Sequence, residues 1–555
     1  MTWRFSRWWS PVATALLLIA PVRPTQGQRL SGAGDDAIVL RRGELRWSIG
    51  GDWRVHDEVL DGAGNRHALG DWLTIPSFGA AAYQGLGLPQ SSLQSMLGDP
   101  TATVSLGSVR LREELHQTYL PIAFEYGVTR RLTVGVVLPI AWTYAGAALD
   151  INRTLPTPAN LAINPGLATV AAASAAATVK TQALAAVAQL QAAYPACFGA
   201  APGPGCTPTI TLAAVTAALG NGVATVYGAT GKFAPIAGSP LQTQVLARFT
   251  SINAQLRTAL GTPAGSPDPI VARPVAAPVP MGLGDLNKML FDPAFGLSTD
   301  TLTVLERNAG GDIEVSAKYL WLDGLGDAST HGDSAARFDA HGVNLRSSAG
   351  VIVRVGTAAR PYPGQFLDPG AGDGSTAIAL RSTTDIVVGT SFWASVSATY
   401  ATVLADRVKR RLPASGSDVL PMLLGTYEVD RRMGDWATLE ITPRWVFSDY
   451  FGVSGYYQFF VRRGDRYTGA STVVANAGGG TFTFDPAALN TSHQLAHRVG
   501  LGFTYSTVAA HRKGKTGLAL DITYQRVQVV SGENTPFMMQ DRIAMRFYTP
   551  ILGGR

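Results

Sequence analysis

Two long runs of alternating residues, flanking one short turn between Thr118 and Tyr144, constrain this chain more than any other stretch. Leu120, Ile122, Phe124 and Tyr126 fall on one side of an extended strand, and Pro121, Ala123 and Glu125 on the other. After Gly127–Arg131 the alternation resumes, with Leu132, Val134, Val136, Leu138, Ile140, Trp142 and Tyr144 on one side. Thr133, Gly135, Val137, Ala141 and Thr143 take the other. A period of two predicts strands, and a short turn between two such runs predicts an antiparallel hairpin. Both apolar stripes are long and end in aromatic residues. A transmembrane strand needs about 9–11 residues and carries aromatic girdles at the headgroups. The hairpin therefore predicts a transmembrane β-barrel of the bacterial outer-membrane kind.

The first residues bear on the compartment. Arg4 and Arg7 give a positive start, and the apolar run Val12–Ala20 is too short to span a bilayer. Thr25-Gln26-Gly27 supplies small residues where a signal peptidase would cut, so residues 1–27 read as a signal peptide. A membrane anchor would need about 20 apolar residues. Residues 28–42 then form a periplasmic segment before the first strand. No later run is continuously apolar over about 18 residues, which disfavours a helical membrane protein. Charged residues make up 15% of the chain, against about 25% in soluble domains. Net charge is +6, with short basic clusters only at Arg407–Arg411 and His511–Lys515, so nothing argues for nucleic acid.

Twelve segments keep the rhythm of up and down strands: Gly43–Val55, Ser108–Tyr126, Leu132–Ala145, Asp312–Leu322, Val343–Gly356, Thr376–Val388, Ser391–Leu404, Trp436–Phe447, Phe451–Arg462, His493–Ser506, Gly517–Val530 and Phe537–Thr549. The expectation is an all-β, antiparallel up-and-down barrel over 43–550, with short periplasmic turns and long outer loops. An even count brings both ends to one side. Leu420–Arg432 alternates weakly and reads as a loop hairpin, although it could raise the count to fourteen.

Residues 146–310 differ in composition and read as a partly helical extracellular insertion. Ala168–Ala193 and Leu241–Leu260 favour helix, and Pro263–Pro280 resists both helix and sheet. The insertion could cap the pore mouth or form a partly disordered surface loop. Cys197 and Cys206 are nine positions apart, and in an exported chain they read as one disulfide.

The strand face opposite the apolar stripe should line the lumen. It carries Arg46, Asp52, Arg54, Glu125, Glu314, Lys318, Arg346, Arg354, Arg381, Asp385, Glu440, Arg444, Arg498, Asp521, Arg542 and Arg546, ten basic and six acidic. An Arg or Lys at the lipid midplane costs about 2–4 kcal/mol, so inward charges are expected in any such barrel. They can pair across the wall or form a mildly cationic route.

Signals for catalysis or metal are weak. His493 and His497 have metal-like spacing, but residues four apart in a strand are ~13 Å apart. Ser492 beside His493 lacks an orienting carboxylate that sequence can supply. Gly282-Leu283-Gly284-Asp285 lacks the strand–helix setting of a phosphate loop. Gly370–Gly374 with Asp368 and Asp373 lacks a full calcium ligand series. No catalytic residue, metal or cofactor is assigned.

One family resemblance rests on four stretches. Leu120–Pro139, "LPIAFEYGVTRRLTVGVVLP", resembles a recurrent hairpin of the meta-pathway phenol-degradation family of outer-membrane proteins. Gly311–Leu322, Arg354–Gly374 and Phe392–Tyr400 are similar, in order, to that family's following strand, loop and strand. The resemblance covers roughly 40–130 and 310–550 and omits the insertion. It implies an outer-membrane barrel related to fatty-acid and toluene channels, passing small hydrophobic or aromatic molecules. One departure is that seven residues ending in Gly553-Gly554-Arg555 follow Phe547 and Tyr548, where such barrels commonly end on an aromatic residue read by the assembly machinery. The expectation is a monomeric outer-membrane channel with lipid, a small-molecule solute and the assembly machinery as partners. A closed structural or adhesion barrel is the alternative, and an outer-membrane lipid hydrolase the third.

Overall fold

The computed structural model describes residues 36–153, 159–299, 302, 304–325, 342–389, 391–448, 450–475, 481–512 and 514–550. The expected signal peptide and most of the turn expected over 323–342 lie outside them. Twelve strands form the barrel: β1 (Glu44–Leu60), β2 (Val109–Gly127), β3 (Leu132–Ile151), β4 in two pieces (Val304–Gly310 and Ile313–Asp323), β5 (Val343–Val355), β6 (Ala377–Val388), β7 (Phe392–Val403), β8 (Trp436–Val446), β9 (Phe451–Arg462), β10 (Gln494–Ser506), β11 (Leu520–Glu533) and β12 (Thr535–Pro550). Each pairs antiparallel with its neighbours in sequence order, and β1 pairs with both β12 and β2. That last pairing closes the sheet, so no edge is left open to hydrocarbon.

The alternation read from sequence sets the two faces. Leu380, Leu501 and Phe503 are 62%, 76% and 50% exposed on the outside, whereas the inward neighbours Arg381 and Arg498 are shielded. Trp445 meets Phe392, and Trp47 stacks on Phe547, near the short-turn end. This aromatic ring ends the apolar belt where headgroups would begin.

Strand β4 is broken for a local reason. Its first piece pairs with Ile140–Gly146 and its second with Leu132–Val137. Between them stands Pro139 of β3, which has no N–H to donate. Asp312 turns out of the ladder there, and its carboxylate accepts the N–H groups of Ala358 and Asp373 at 2.9 and 3.1 Å. The piece Val304–Gly310 belongs to the wall, so the sequence-predicted excursion is shorter at both ends: β3 runs to Ile151 and β4 begins at Val304.

Beyond the long-loop end, β2 and β3 continue into a helical cap. It comprises α1 (Gly87–Leu97), α2 (Val170–Ala193), α3 (Thr207–Tyr227), α4 (Pro240–Ala259) and α5 (Leu283–Phe291). Thr169 and Ser239 cap α2 and α4 by accepting the N–H groups of Ala172 and Gln242. Small residues let α2 and α3 approach closely. A Cβ on Gly220 would lie 2.7 Å from that of Ala183. The Cys197–Cys206 disulfide is formed and joins this pair. Helices α2 and α3 are long and apolar enough to cross a membrane by composition, but both contribute to the cap core with Met96, Phe249 and Leu256. Leu111, Leu115 and Leu149 from the extended strands complete that core. The weakly alternating segment near Leu420–Arg432 forms a hairpin of Asp406–Arg411 with Thr426–Arg432 outside the barrel, so the wall count stays at twelve.

Candidate functional site

Inside the barrel the sixteen sequence-predicted residues all occupy the less exposed face of their strands. Eight of them pair with one another. Arg46 pairs with Glu125 at 2.6 Å, Arg54 with Asp52 at 2.8 Å, and Arg346 with Asp385 at 2.8 Å. Arg354 pairs with Asp373 at 3.2 Å, and Arg381 with Glu440 at 3.3 Å. Arg444 donates to Ser395 at 2.8 Å and lies over the Trp393 ring. Asp521 accepts from Tyr548 at 2.7 Å and from Ser506. Glu314 is buried and Arg546 lies close enough to act on Glu125. Arg498 and Arg542 differ: their hydrogen bonds go to the amides Gln458, Gln525 and Gln540.

The short-turn end is occupied by the chain itself. Residues 36–40 of the segment expected before the first strand run inside the barrel, with Ala37, Val39 and Leu40 buried. The Ala37 N–H donates to Asp385 at 3.1 Å, Leu40 N–H to Thr133 at 2.8 Å, and Lys318 to the Asp36 carbonyl at 2.8 Å. Ala37-Ile38-Val39-Leu40 is an apolar run, but it is too short for periodicity to place it inside the wall.

At the long-loop end a cavity of about 820 Å³ opens between the cap, the 361–373 loop and the 406–432 hairpin. Trp72, Ile75, Phe366, Val419 and Pro421 give apolar wall, and Asp373, Arg431 and Arg462 give charged lining. Arg431 donates to Asp406 and to Ser375 at 2.7 and 2.6 Å. Asp418, also on the lining, is buried deeply enough that its carboxyl is pushed up to about 6. Sequence reading missed this cavity because its walls come from segments far apart in the chain, and the one weakly alternating stretch among them, Leu420–Arg432, reads only as a loop hairpin.

The weaker chemical signals resolve into structural roles. His493 bonds Glu533 at 2.9 Å, whereas His497 bonds the Tyr457 hydroxyl at 2.9 Å and packs on Phe459. The two imidazoles have separate partners. Asp368 pairs with Arg307 and accepts the Gly370 N–H, and Asp373 pairs with Arg354, so both carboxylates of the 368–374 turn face guanidinium groups. Among the described residues no group of three or more His, Cys, Asp and Glu could hold a metal. Gly282 N–H donates to Asp285 at 3.0 Å, an ordinary start to α5.

A closed twelve-stranded antiparallel wall, apolar outside and polar within, defines an outer-membrane β-barrel. No family model matches the chain, and no curated protein matches it. Among solved structures it is similar to an outer-membrane channel from Pseudomonas putida F1, at 7% identity over 93% of this chain and 99% of that one, with a TM-score of 0.39. It is also similar to a Pseudomonas aeruginosa FadL homologue (9% identity, 92% and 91% covered, TM-score 0.24). The Pseudomonas putida toluene transporter TodX aligns at 10% identity over 94% of this chain and 98% of that one, with a TM-score of 0.24.

Proposed function

We propose that this barrel passes small apolar or aromatic molecules across the outer membrane, in the manner of the phenol-degradation family that its hairpin and loop motifs resemble. The observation that carries the reading is the cavity at the long-loop end: apolar walls from Trp72, Ile75 and Phe366 stand beside the charged groups Asp373 and Arg431. Such a mixture suits a solute with an apolar body, because apolar walls give affinity and a few fixed polar groups give orientation. In this reading the long loops and cap face outward, the charged lumen discriminates among solutes, and no covalent step is involved.

The test is uptake of an apolar fluorescent naphthylamine dye into cells whose lipopolysaccharide layer otherwise excludes it. Expression should raise the rate, and filling the cavity by Val419→Trp should reduce it. A rate equal to that of cells lacking the barrel, with the folded protein present in the membrane, would sink the transport reading. The ion pairs across the wall and the 36–40 segment inside favour a second reading, a closed barrel that displays its cap. That reading expects no dye uptake and cleavage of the cap by protease added to intact cells.

A further inference from the structure

Just beyond the long-loop end of the wall, basic side chains outnumber the acids that could pair with them. Three short strands outside the barrel, Asp406–Arg411, Thr426–Arg432 and Arg466–Thr468, form one antiparallel sheet. Its inner face carries Arg431 and Tyr467, which line the cavity. Side chains alternate between the two faces of a strand, so Arg407, Lys409, Glu428, Asp430, Arg432 and Arg466 take the outer face, and all six are exposed. On that face opposite charges stand across from one another twice. Arg407 faces Asp430 and bonds it at 2.9 Å, and Lys409 faces Glu428. The rung nearest the wall breaks the pattern, because Arg432 stands opposite Arg466. Like charges directly opposed, with Cβ atoms about 4.5–5.5 Å apart, destabilise a sheet. Neither guanidinium makes a hydrogen bond or ion pair among the described residues.

A third arginine adjoins them. Arg463 donates its amide to the Asp435 carbonyl at 2.9 Å, while its side chain is 81% exposed and reaches Asp435 Oδ2 only at 3.9 Å. Arg432 is also near enough to act on Asp435. That carboxylate is already engaged, accepting from the Tyr400 and Thr402 hydroxyls at 3.1 and 2.9 Å and from the Val403 N–H at 3.3 Å. Asp465 is held in turn by Arg462 and the Gly434 N–H. The Tyr400 bond also sets the depth of the group. Tyr400 is exposed on the outward face of β7, eight residues above Phe392 of the short-turn aromatic ring. Eight residues at about 3.3 Å each, tilted by about 35–45°, rise roughly 20 Å, and the apolar band is about 25 Å tall. Arg432, Arg463 and Arg466 therefore stand where the headgroups of the outer leaflet begin.

We infer that Arg432, Arg463 and Arg466 form a phosphate-binding site for the headgroup of outer-leaflet lipopolysaccharide. Guanidinium groups bind phosphate oxygens through paired, charge-assisted hydrogen bonds. Clustered basic side chains at a membrane surface attract anionic headgroups. A phosphate between Arg432 and Arg466 replaces their repulsion with two attractions. The acyl chains of the same lipid would then lie against the apolar face below, where Leu439 and Ile441 of β8 are exposed. The inference is independent of transport and needs only that the long loops face outward.

The experiment measures retention of bis-phosphorylated lipid A by the full-length barrel purified in a neutral detergent. Dephosphorylated lipid A and inorganic phosphate serve as comparisons. Bis-phosphorylated lipid A should bind saturably, the dephosphorylated form should bind about fivefold or more weakly, and inorganic phosphate should not displace the lipid. Arg432→Gln with Arg466→Gln, and Arg463→Gln alone, should each weaken lipid A binding by about fivefold or more. Arg407→Gln, which removes an arginine already paired with Asp430, should leave it unchanged. Heat-modified gel migration shows that each variant is folded. Equal binding of the two lipid A forms, or undiminished binding by the folded Arg432→Gln, Arg466→Gln variant, overturns the site. A loss as large in Arg407→Gln would reduce it to general charge attraction and overturns it too. Displacement by inorganic phosphate would assign the site to the free ion and overturn the lipid assignment.

Discussion

At the scale of single residues, the inward charges were legible because one rule, the two-residue period, assigns every strand position to a face. Arg346 and Asp385 were found separately on two strands, and the register then set them opposite each other. The neutral polar residues were not legible. Gln458, Gln525 and Gln540 divide the lumen charges among themselves by accepting from one guanidinium group and donating to a carboxylate or to nothing, and no sequence pattern marks that role. Asp418 was also unreadable, since its burial comes from cap packing. Its Oδ2 accepts the Ala414 N–H at 3.0 Å, the Leu420 N–H also acts on the carboxylate, and Tyr83 stands nearby. Burial raises this carboxyl to about 6, so the folded loop prefers the protonated acid. The stabilisation is complete below the unfolded value near 3.8 and is lost as pH rises through about 6. The displacement corresponds to roughly 3 kcal/mol between the two protonation states. The Val419 amide, bonded to the Ala82 carbonyl at 3.1 Å, should therefore exchange faster, after correction for intrinsic rate, at about pH 7 than at about pH 4. Asp418→Asn should hold the slower value at both. The same pH dependence in Asp418→Asn would assign the effect to another group.

At the scale of elements, all twelve wall strands follow the sequence-predicted segments with ends displaced by a few residues. The exception is the first piece of β4, whose mixed run Val304-Leu305-Glu306-Arg307 has no apolar stripe because it lies level with the loops. Helix α3 was not expected for a different reason: Gly220 and Gly222 disfavour helix, yet they are contact points against α2 and α1. The wall also carries one departure from its own rule. Arg526 of β11 is 57% exposed in its side chain on the outward face, and makes two 2.8 Å bonds to Asp541 of β12. Tyr524 donates to the same carboxylate at 2.6 Å, and the register neighbours are Leu501 and Trp53. A paired charge facing lipid is tolerated better than a lone one. Asp541→Asn should lower the urea midpoint for barrel unfolding, and Arg526→Leu with Asp541→Leu together should restore it or raise it. A double variant less stable than Asp541→Asn would show that the pair stabilises the wall beyond its mutual neutralisation.

At the scale of the whole molecule, barrel and cap are separable in sequence but not in packing. The sequence boundary was visible as a change from alternating to Ala-rich and Pro-rich composition. That change says nothing about where the apolar faces of α2–α5 would be covered. They are covered partly by the molecule's own strands: Leu111 and Leu115 of β2 and Ala145, Leu149 and Ile151 of β3 lie in one core with Phe78, Val179, Leu219 and Phe249. The projecting halves of β2 and β3 thus serve as one wall of the cap, and Arg110, Arg112 and Glu114 keep their other face in water. Removing residues 152–303 and bridging the ends would uncover that apolar row. We expect such a deletion to lower the temperature at which heat-modified migration is lost, because buried apolar surface on β2 and β3 would meet water. Nicking the disulfide-closed turn by Cys197→Ser with Cys206→Ser should leave that temperature nearly unchanged, since the turn lies at the cap's exposed tip. A deletion variant as heat-resistant as the full chain would show that cap and wall fold as separate units. In that case a rise in conductance on deletion could be read as unplugging; otherwise it would report a damaged mouth.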